Sequence, residues 1–321
     1  MVALQVFPMM FQCEARTAMV LPPMLGPTLR GAVLEGLFRC YCANPMAPSC
    51  RACSLHDQCP VSRLVATVRD AGERGMDVPR PFVLRPPQRL GPRLLPGHEW
   101  QFGLTLLGHA GYLPYLLHAF EDVGQSGIGS RAEVPGRFTV ESVWSLNEIS
   151  GTARRLWDRN ITAEIADAEP VCQESLLTRA ERLASAKSIR LRFLTPMRLV
   201  TDGHLVHTFL MEPFMRRILR RLTDLQAEFC AQPLVLDFPF VLAQAEDVRV
   251  IREDTHWVDI ESHSRRTGRN SPIGGIVGSV ILGGAWQPLV PWLLWAQLVG
   301  VGKDVTKGNG WLRVEAVHDN C

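Results

Sequence analysis

Two stretches of this chain repeat one another. Residues 112–143 read YLPYLLHAFEDVGQSGIGSRAEVPGRFTVESV, and residues 289–317 read LVPWLLWAQLVGVGKDVTKGNGWLRVEAV. Each runs from a proline-started apolar helix through a glycine-rich loop into an alternating strand that ends in FTVESV or LRVEAV. A duplicated helix, loop and strand points to a fold built from two copies of one unit. Upstream the order also recurs in outline. Residues 2–12 suit a strand, and Thr28–Tyr41 suit a helix with Leu29, Val33, Leu37 and Phe38 on one face. In the second half, residues 188–194 alternate strictly, with Ile189, Leu191 and Phe193 on one side and Arg190 and Arg192 on the other. A helix from about Phe209 to Cys230 follows, carrying Phe214, Ile218, Leu222 and Leu225 inward. Strand-like runs at 101–108, 248–252 and 274–284 complete the halves.

Strand, helix, two strands, helix, strand, twice over, is the β-α-β-β-α-β order of the ferredoxin-like unit. The expected class is therefore α+β, with tandem ferredoxin-like (RRM-like) domains and a Cys-rich insertion at about 40–60 in the first. The expected boundaries are 1–145, a linker at 146–186 where no period persists, and 187–321. A single large α+β domain is the alternative, and 321 residues accommodate either.

Hydrophobic residues at 46% and charged residues at 21% exclude a wholly disordered or collagen-like chain. The longest apolar stretch, around Leu289 to Val301, is broken by Pro291, Gln297 and Gly300, so no membrane span is expected. The start, MVALQVFPMMFQ, lacks the basic region and cleavage site of a secretory signal, and a cytoplasmic location is expected. A net charge of +2 names no partner, but all basic residues except Lys187, Lys303 and Lys307 are Arg. Guanidinium groups suit bidentate phosphate contacts and base stacking, so local arginine clusters bear a nucleic-acid reading.

Three clusters carry chemistry. The loop VGVGKDVTKGNGW sets Gly300, Gly302, Gly308 and Gly310 around Lys303 and Lys307, a backbone able to approach a phosphate with two cations beside it; a plain glycine turn is the other reading. Arg216, Arg217, Arg220 and Arg221 line about a turn and a half of the second-half helix, as a basic stripe with Arg190 and Arg192 or as a solvated face paired with Asp224 and Glu228. In the window CYCANPMAPSCRACSLHDQC, Cys42, Cys50, Cys53 and Cys59 have spacing suited to one structural zinc, with Cys40 in the preceding helix and His56 as a competing ligand. An iron–sulfur cluster or reduced thiols are the alternatives.

No H-E-x-x-H or G-x-S-x-G motif occurs. His109, His118 and His207 lie in or beside apolar segments and read as core or boundary residues. His263, in HWVDIESHSRRTGRN, stands among Ser262, Ser264, Arg265 and Arg266, a setting for an acid or base with cations to stabilise developing charge, or for a solvated loop histidine.

These residues resemble the RAMP superfamily of CRISPR-associated proteins, and within it the precursor-CRISPR-RNA processing endoribonucleases numbered six in the Cas series. The likeness rests on RGAVLEGLFRCYC with CRACSLHDQCPVSRL and RPFVLRPP, on 104–143, and on FLTPMRLVTDG, WVDIESHSRR, GGIVGSVILGG and VGVGKDVTKGNGWLRVE. It implies metal-independent cleavage of CRISPR repeat RNA to a 2′,3′-cyclic phosphate. The product, mature crRNA, would be retained, and the other subunits of a Cas effector complex would be partners. A non-catalytic RNA-binding scaffold in such a complex is the competing implication. In the family a histidine is commonly the base, and the scissile phosphate lies between the end of the first helix and the glycine-rich loop. Relatives often carry Arg-Tyr-Ser where this chain has Glu261 to Ser264, and a histidine before the loop Gly-Lys where it has Gly300 and Val301. The resemblance therefore ranks His263 first as base, with Ser264 and Arg266 orienting it and stabilising charge, and His56 second.

Overall fold

The computed structural model describes residues 2–65, 78–88, 90–129, 135–161, 164–264 and 268–317. The chain divides into two compact units: Phe7–Asn147 with Thr152–Pro170, and Val171–Cys321 with Met1–Val6 and Glu148–Gly151.

The first unit carries β1 (Val6–Ala15), β2 (Met19–Val20), α1 (Gly26–Tyr41), α2 (Pro60–Leu64), β3 (Phe82–Arg85), β4 (Arg93–Leu94), β5 (Glu99–Leu107), α3 (Leu113–Ser126), β6 (Phe138–Asn147) and β7 (Thr152–Asp158). Its main sheet has the order β3-β5-β1-β6-β7. Helix α1 buries Leu29, Val33 and Leu37, one face at helical spacing, whereas Phe38, expected on that face, is 38% exposed. Its neighbour α3 buries Leu113, Leu116, Leu117 and Phe120, the four expected from spacing. The two helices approach closely at Gly36, where a Cβ would stand 2.7 Å from the Ala119 carbonyl oxygen. Beneath them Phe11 stacks on Phe102 at 5.0 Å and meets Phe120 at 5.3 Å.

The second unit contains α4 (Gln173–Ala184), β8 (Ser188–Met197), β9 (Leu199–Thr201), β10 (His204–Val206), α5 (Met211–Phe229), α6 (Phe238–Glu246), β11 (Val248–Val258), β12 (Glu261–Ser264), β13 (Arg269–Pro272), β14 (Gly275–Gly284), α7 (Val290–Val299) and β15 (Leu312–Val317). Its four-stranded sheet runs β11-β14-β8-β15, antiparallel throughout. Strand β8 turns Ile189, Leu191 and Phe193 inward, and Phe193 meets Phe214 of α5 edge-on at 6.0 Å. Helix α7 is buried almost all round because α4 and α5 both pack on it, which accounts for its weak periodicity in sequence.

The repeated stretches take matching local structure. Both α3 and α7 have proline in the first turn and end at a glycine with positive φ, Gly127 at 83° and Gly300 at 72°. The strands that follow, β6 and β15, pair antiparallel with β1 and β8, the first strand of each sheet.

Candidate nucleic-acid interface

The glycine-rich loop between α7 and β15 is braced from within. The backbone N–H groups of Gly300, Val301, Lys303, Lys307, Gly308, Asn309 and Gly310 all donate to protein carbonyls, those of Lys303 and Gly310 to Arg198 and Pro196. Close approach requires the glycines: at Gly310, with φ of 69°, a Cβ would lie 1.8 Å from the Val301 carbonyl oxygen. Most of the backbone donors expected to cradle a phosphate are thus already engaged, and the loop offers its side chains instead. Lys303 is exposed, while Lys307 is held 2.9 Å from Asp304.

The α5 arginines divide by face. Arg221 donates through Nε to the Val299 carbonyl at 2.9 Å and Arg217 through Nη2 to that of Gly302 at 3.5 Å, so both brace the loop. Burial, reinforced by neighbouring Arg217 and opposed by Asp224, pulls Arg221 down to about 9. Arg216 pairs with Glu212 on the exposed side, where Arg220 also lies. Arg190 and Arg192 do not join them. Strand alternation directs these side chains away from the face of β8 that packs on α5, so the expected common stripe is split by the sheet. Cross-strand, Arg192 faces Ser279 and Arg313, and Arg190 faces Ile281 and Glu315.

His263 sits on the exposed hairpin formed by β12 and β13, directly across from Asn270. Its Nδ1 lies 2.8 Å from Asn270 Oδ1, and Asn270 Nδ2 donates to Glu261 Oε2 at 2.9 Å. The carboxylate can only accept from the amide nitrogen, so the amide oxygen faces the ring and Nδ1 carries the proton. The neutral imidazole then presents Nε2 as an acceptor. Ser264 lies in β12 opposite Arg269, and Arg266 falls outside the described residues. The hairpin is tied to the glycine loop at its base: Ile273 bonds to Ile260, and the buried Asn309 donates through Nδ2 to the Ile273 carbonyl at 2.6 Å.

In the first unit, His56 is half-buried with Nδ1 2.9 Å from the Cys50 carbonyl oxygen and 2.6 Å from Ser62 Oγ. Around it, the Cys50 thiol is raised, first by burial and then by neighbouring Cys59, Cys42 and Cys53. Although these sulfurs are neighbours, no group of three His, Cys, Asp or Glu among the described residues is arranged to hold a metal ion. As placed, these side chains do not form a zinc centre.

His109, His118 and His207, expected at core or boundary positions, are exposed. Each apolar segment buries one face and leaves the next residue outward. His118 Nδ1 lies 2.9 Å from the Tyr41 hydroxyl, and His207 lies tilted against Trp257 with ring centroids 4.2 Å apart. Sequence reading also passed over Arg198, whose position just beyond the apolar end of β8 was the available signal.

Residues 4–170 match a family model described as an N-terminal domain, and residues 191–312 match the model of CRISPR-associated endoribonuclease Cas6. No curated protein sequence matches the chain. Among solved structures, Thermus thermophilus Cas6 superposes with a TM-score of 0.53 over 97% of this chain and 99% of its own, at 16% identity. A Cas6 product complex gives 0.52 over 98% of this chain and 99% of that one, also at 16% identity. A partial Cas6-RT-Cas1–Cas2 complex gives 0.56 at 13% identity, covering 99% of this chain and 47% of that one. At such identities the likeness is one of fold.

Proposed function

This chain belongs to the family of the CRISPR-associated endoribonuclease Cas6, and from that premise we propose that it cuts CRISPR repeat RNA without a catalytic metal and retains the crRNA product. RNA brings its own nucleophile. In this reading His263 Nε2 takes the proton from the 2′-hydroxyl, whose oxygen attacks the adjacent phosphorus. The bond to the 5′-oxygen breaks, leaving a 2′,3′-cyclic phosphate and, once that oxygen gains a proton, a 5′-hydroxyl. Lys303 lies near the charge that develops on the phosphoryl oxygens, with Ser264 and Arg266 in supporting roles. His56 is the second candidate base.

The observation that carries this reading is the linkage within the second unit. Asn309 ties the hairpin bearing His263 to the loop bearing Lys303, and Asn270, itself held by Glu261, orients the ring through Nδ1 so that Nε2 is the nitrogen left for substrate. The strand order supports the tandem ferredoxin-like reading: in both sheets the second, third, first and fourth strands of the unit are neighbours in that order, with β7 added to the first. We assign residues 1–145 and 187–321 to the two domains, other Cas proteins as partners, and a cytoplasmic setting. Among the described residues no helix is long and apolar enough to cross a membrane.

The test is incubation of the purified chain with labelled repeat RNA in excess EDTA. Cleavage at one site to a cyclic phosphate is expected, and His263→Ala should slow single turnover by at least ~10²-fold while binding stays within a few-fold. Tight binding without cleavage would instead support the scaffold role. Wild-type rates in both His263→Ala and His56→Ala would remove the histidine mechanism.

A further inference from the structure

Three side chains from separate segments of the second unit meet at one indole. Arg198 follows β8, Trp257 lies near the end of β11, and His207 follows β10. The Arg198 guanidinium carbon lies 5.8 Å from the Trp257 ring centroid, within cation–π reach. His207 lies against the same indole, with ring centroids 4.2 Å apart and the planes tilted by 33°. Each member of this cluster is held in place. Trp257 Nε1 donates to Asp259 Oδ1 at 2.8 Å, fixing the indole. Phe209 N donates to Glu253 Oε1 at 3.1 Å, fastening the segment that carries His207 to β11. Arg198 Nη1 donates to the Gly274 carbonyl at 3.1 Å.

His207 is exposed although it takes part in this cluster. An apolar core explains buried aromatic pairs, but this one ends in solvent with an imidazole as its outer surface. Arg198 also connects the cluster to the glycine-rich loop, because its carbonyl accepts the Lys303 N–H at 3.0 Å. One residue thus braces the backbone beside the exposed lysine and places its guanidinium against the indole. A phosphate-facing cation beside a π surface is the pairing that single-stranded RNA offers partners for, one group in its backbone and the other in its bases.

We propose that His207, backed by Trp257 and Arg198, is a stacking site for one unpaired nucleobase of an RNA strand whose backbone passes Lys303. The proposal rests on the RNA-binding reading above and adds a site to it. A π surface favours the larger purine ring and reads no hydrogen-bonding edge, so the site takes purines in preference to pyrimidines without choosing a sequence.

The experiment uses the full chain with fluorescent 12-nucleotide oligoadenylate and oligouridylate, titrated at several salt concentrations. Loss of one stacked base weakens binding by roughly 5–150-fold. His207→Ala is therefore expected to lower oligoadenylate affinity by a factor in that range and oligouridylate affinity by less. The slope of log affinity against log salt should not change, because no phosphate contact is lost. His207→Phe should restore the affinity, which a role in hydrogen bonding or charge would not permit. Wild-type oligoadenylate affinity in His207→Ala, or failure of His207→Phe to restore it, overturns the stacking site. If the unaltered chain binds neither oligomer but does bind the labelled repeat RNA, the stacking site is overturned and the RNA-binding reading stands; if it binds none of the three, the RNA-binding reading itself fails, an outcome separate from the others.

Discussion

On α5, residues 217 and 221 are four apart and share a stripe with Phe214 and Ile218, while 216 and 220 belong to the next stripe round. The spacing was visible in the sequence. What it could not show was that the carbonyls of Val299, at the end of α7, and Gly302, in the loop beyond it, lie against the first stripe, because those contacts join residues about eighty positions apart. At neutral pH Arg221 remains charged. Its folded-state value near 9 lies below the ordinary arginine value, so the folded chain binds fewer protons above about pH 9 and the cost of burying this charge diminishes only there. Arg221→Met keeps the packing but leaves the Val299 carbonyl without its charged donor, and recovered desolvation offsets part of the loss. A fall of about 1 kcal/mol in unfolding free energy is expected from denaturant titration. Arg216→Ala, on the solvent side, should stay within about 0.5 kcal/mol. At His263 the sequence supplied the residue and its polar setting but not the Asn270 relay, which needs the cross-strand register. Asn270→Ala should therefore lower the single-turnover rate by about 10-fold, less than His263→Ala, while RNA affinity holds. An unchanged rate would remove Asn270 as a positioning residue.

At the level of elements, the repeat was the most informative signal, since proline start, glycine stop and alternating strand are local instructions that need no tertiary partner. Elements shaped by neighbours were harder to read. Strand β11 runs to Val258, beyond the expected end at residue 252, because pairing with β14 rather than an apolar face defines it, and most of its residues are exposed. Helix α4 lies where no persistent period was found, yet Leu176, Ala180 and Leu183 make a buried stripe of about two turns. The glycine loop illustrates both sides: its glycines were legible, their use as close-packed supports was not. Gly310→Ala places a methyl group against the Val301 backbone at positive φ and should cost more than about 3 kcal/mol, seen as a large drop in melting temperature. Gly203→Ala, in the β9–β10 turn with φ of 82° and open space around it, should cost only about 1–2 kcal/mol. Equal losses at the two sites would mean that the loop is not braced as described.

For the whole molecule, a net charge of +2 conceals where cations are free to act. Two units were legible from the repeat, but the grouping of Met1–Val6 and Glu148–Gly151 with the second unit was not, since it depends on contacts across the chain. One such contact is the 3.6 Å approach of Arg313 to Glu148. Pairing of this kind decides which side chains can displace counterions from RNA, and the glycine loop provides a direct comparison. Lys303 is exposed, whereas Lys307 must give up Asp304 before it can contact a phosphate. Each phosphate contact on a single strand contributes about 0.7 to the slope of log affinity against log salt. Lys303→Ala should accordingly flatten the slope by about 0.7, and Lys307→Ala by less than half of that. Asp304→Asn, which releases Lys307, should steepen it. If Lys303→Ala leaves both affinity and slope unchanged across the salt series, the loop is not part of the RNA-binding surface, and the exposed arginines of the sheet face, Arg192 and Arg313, become the groups to test.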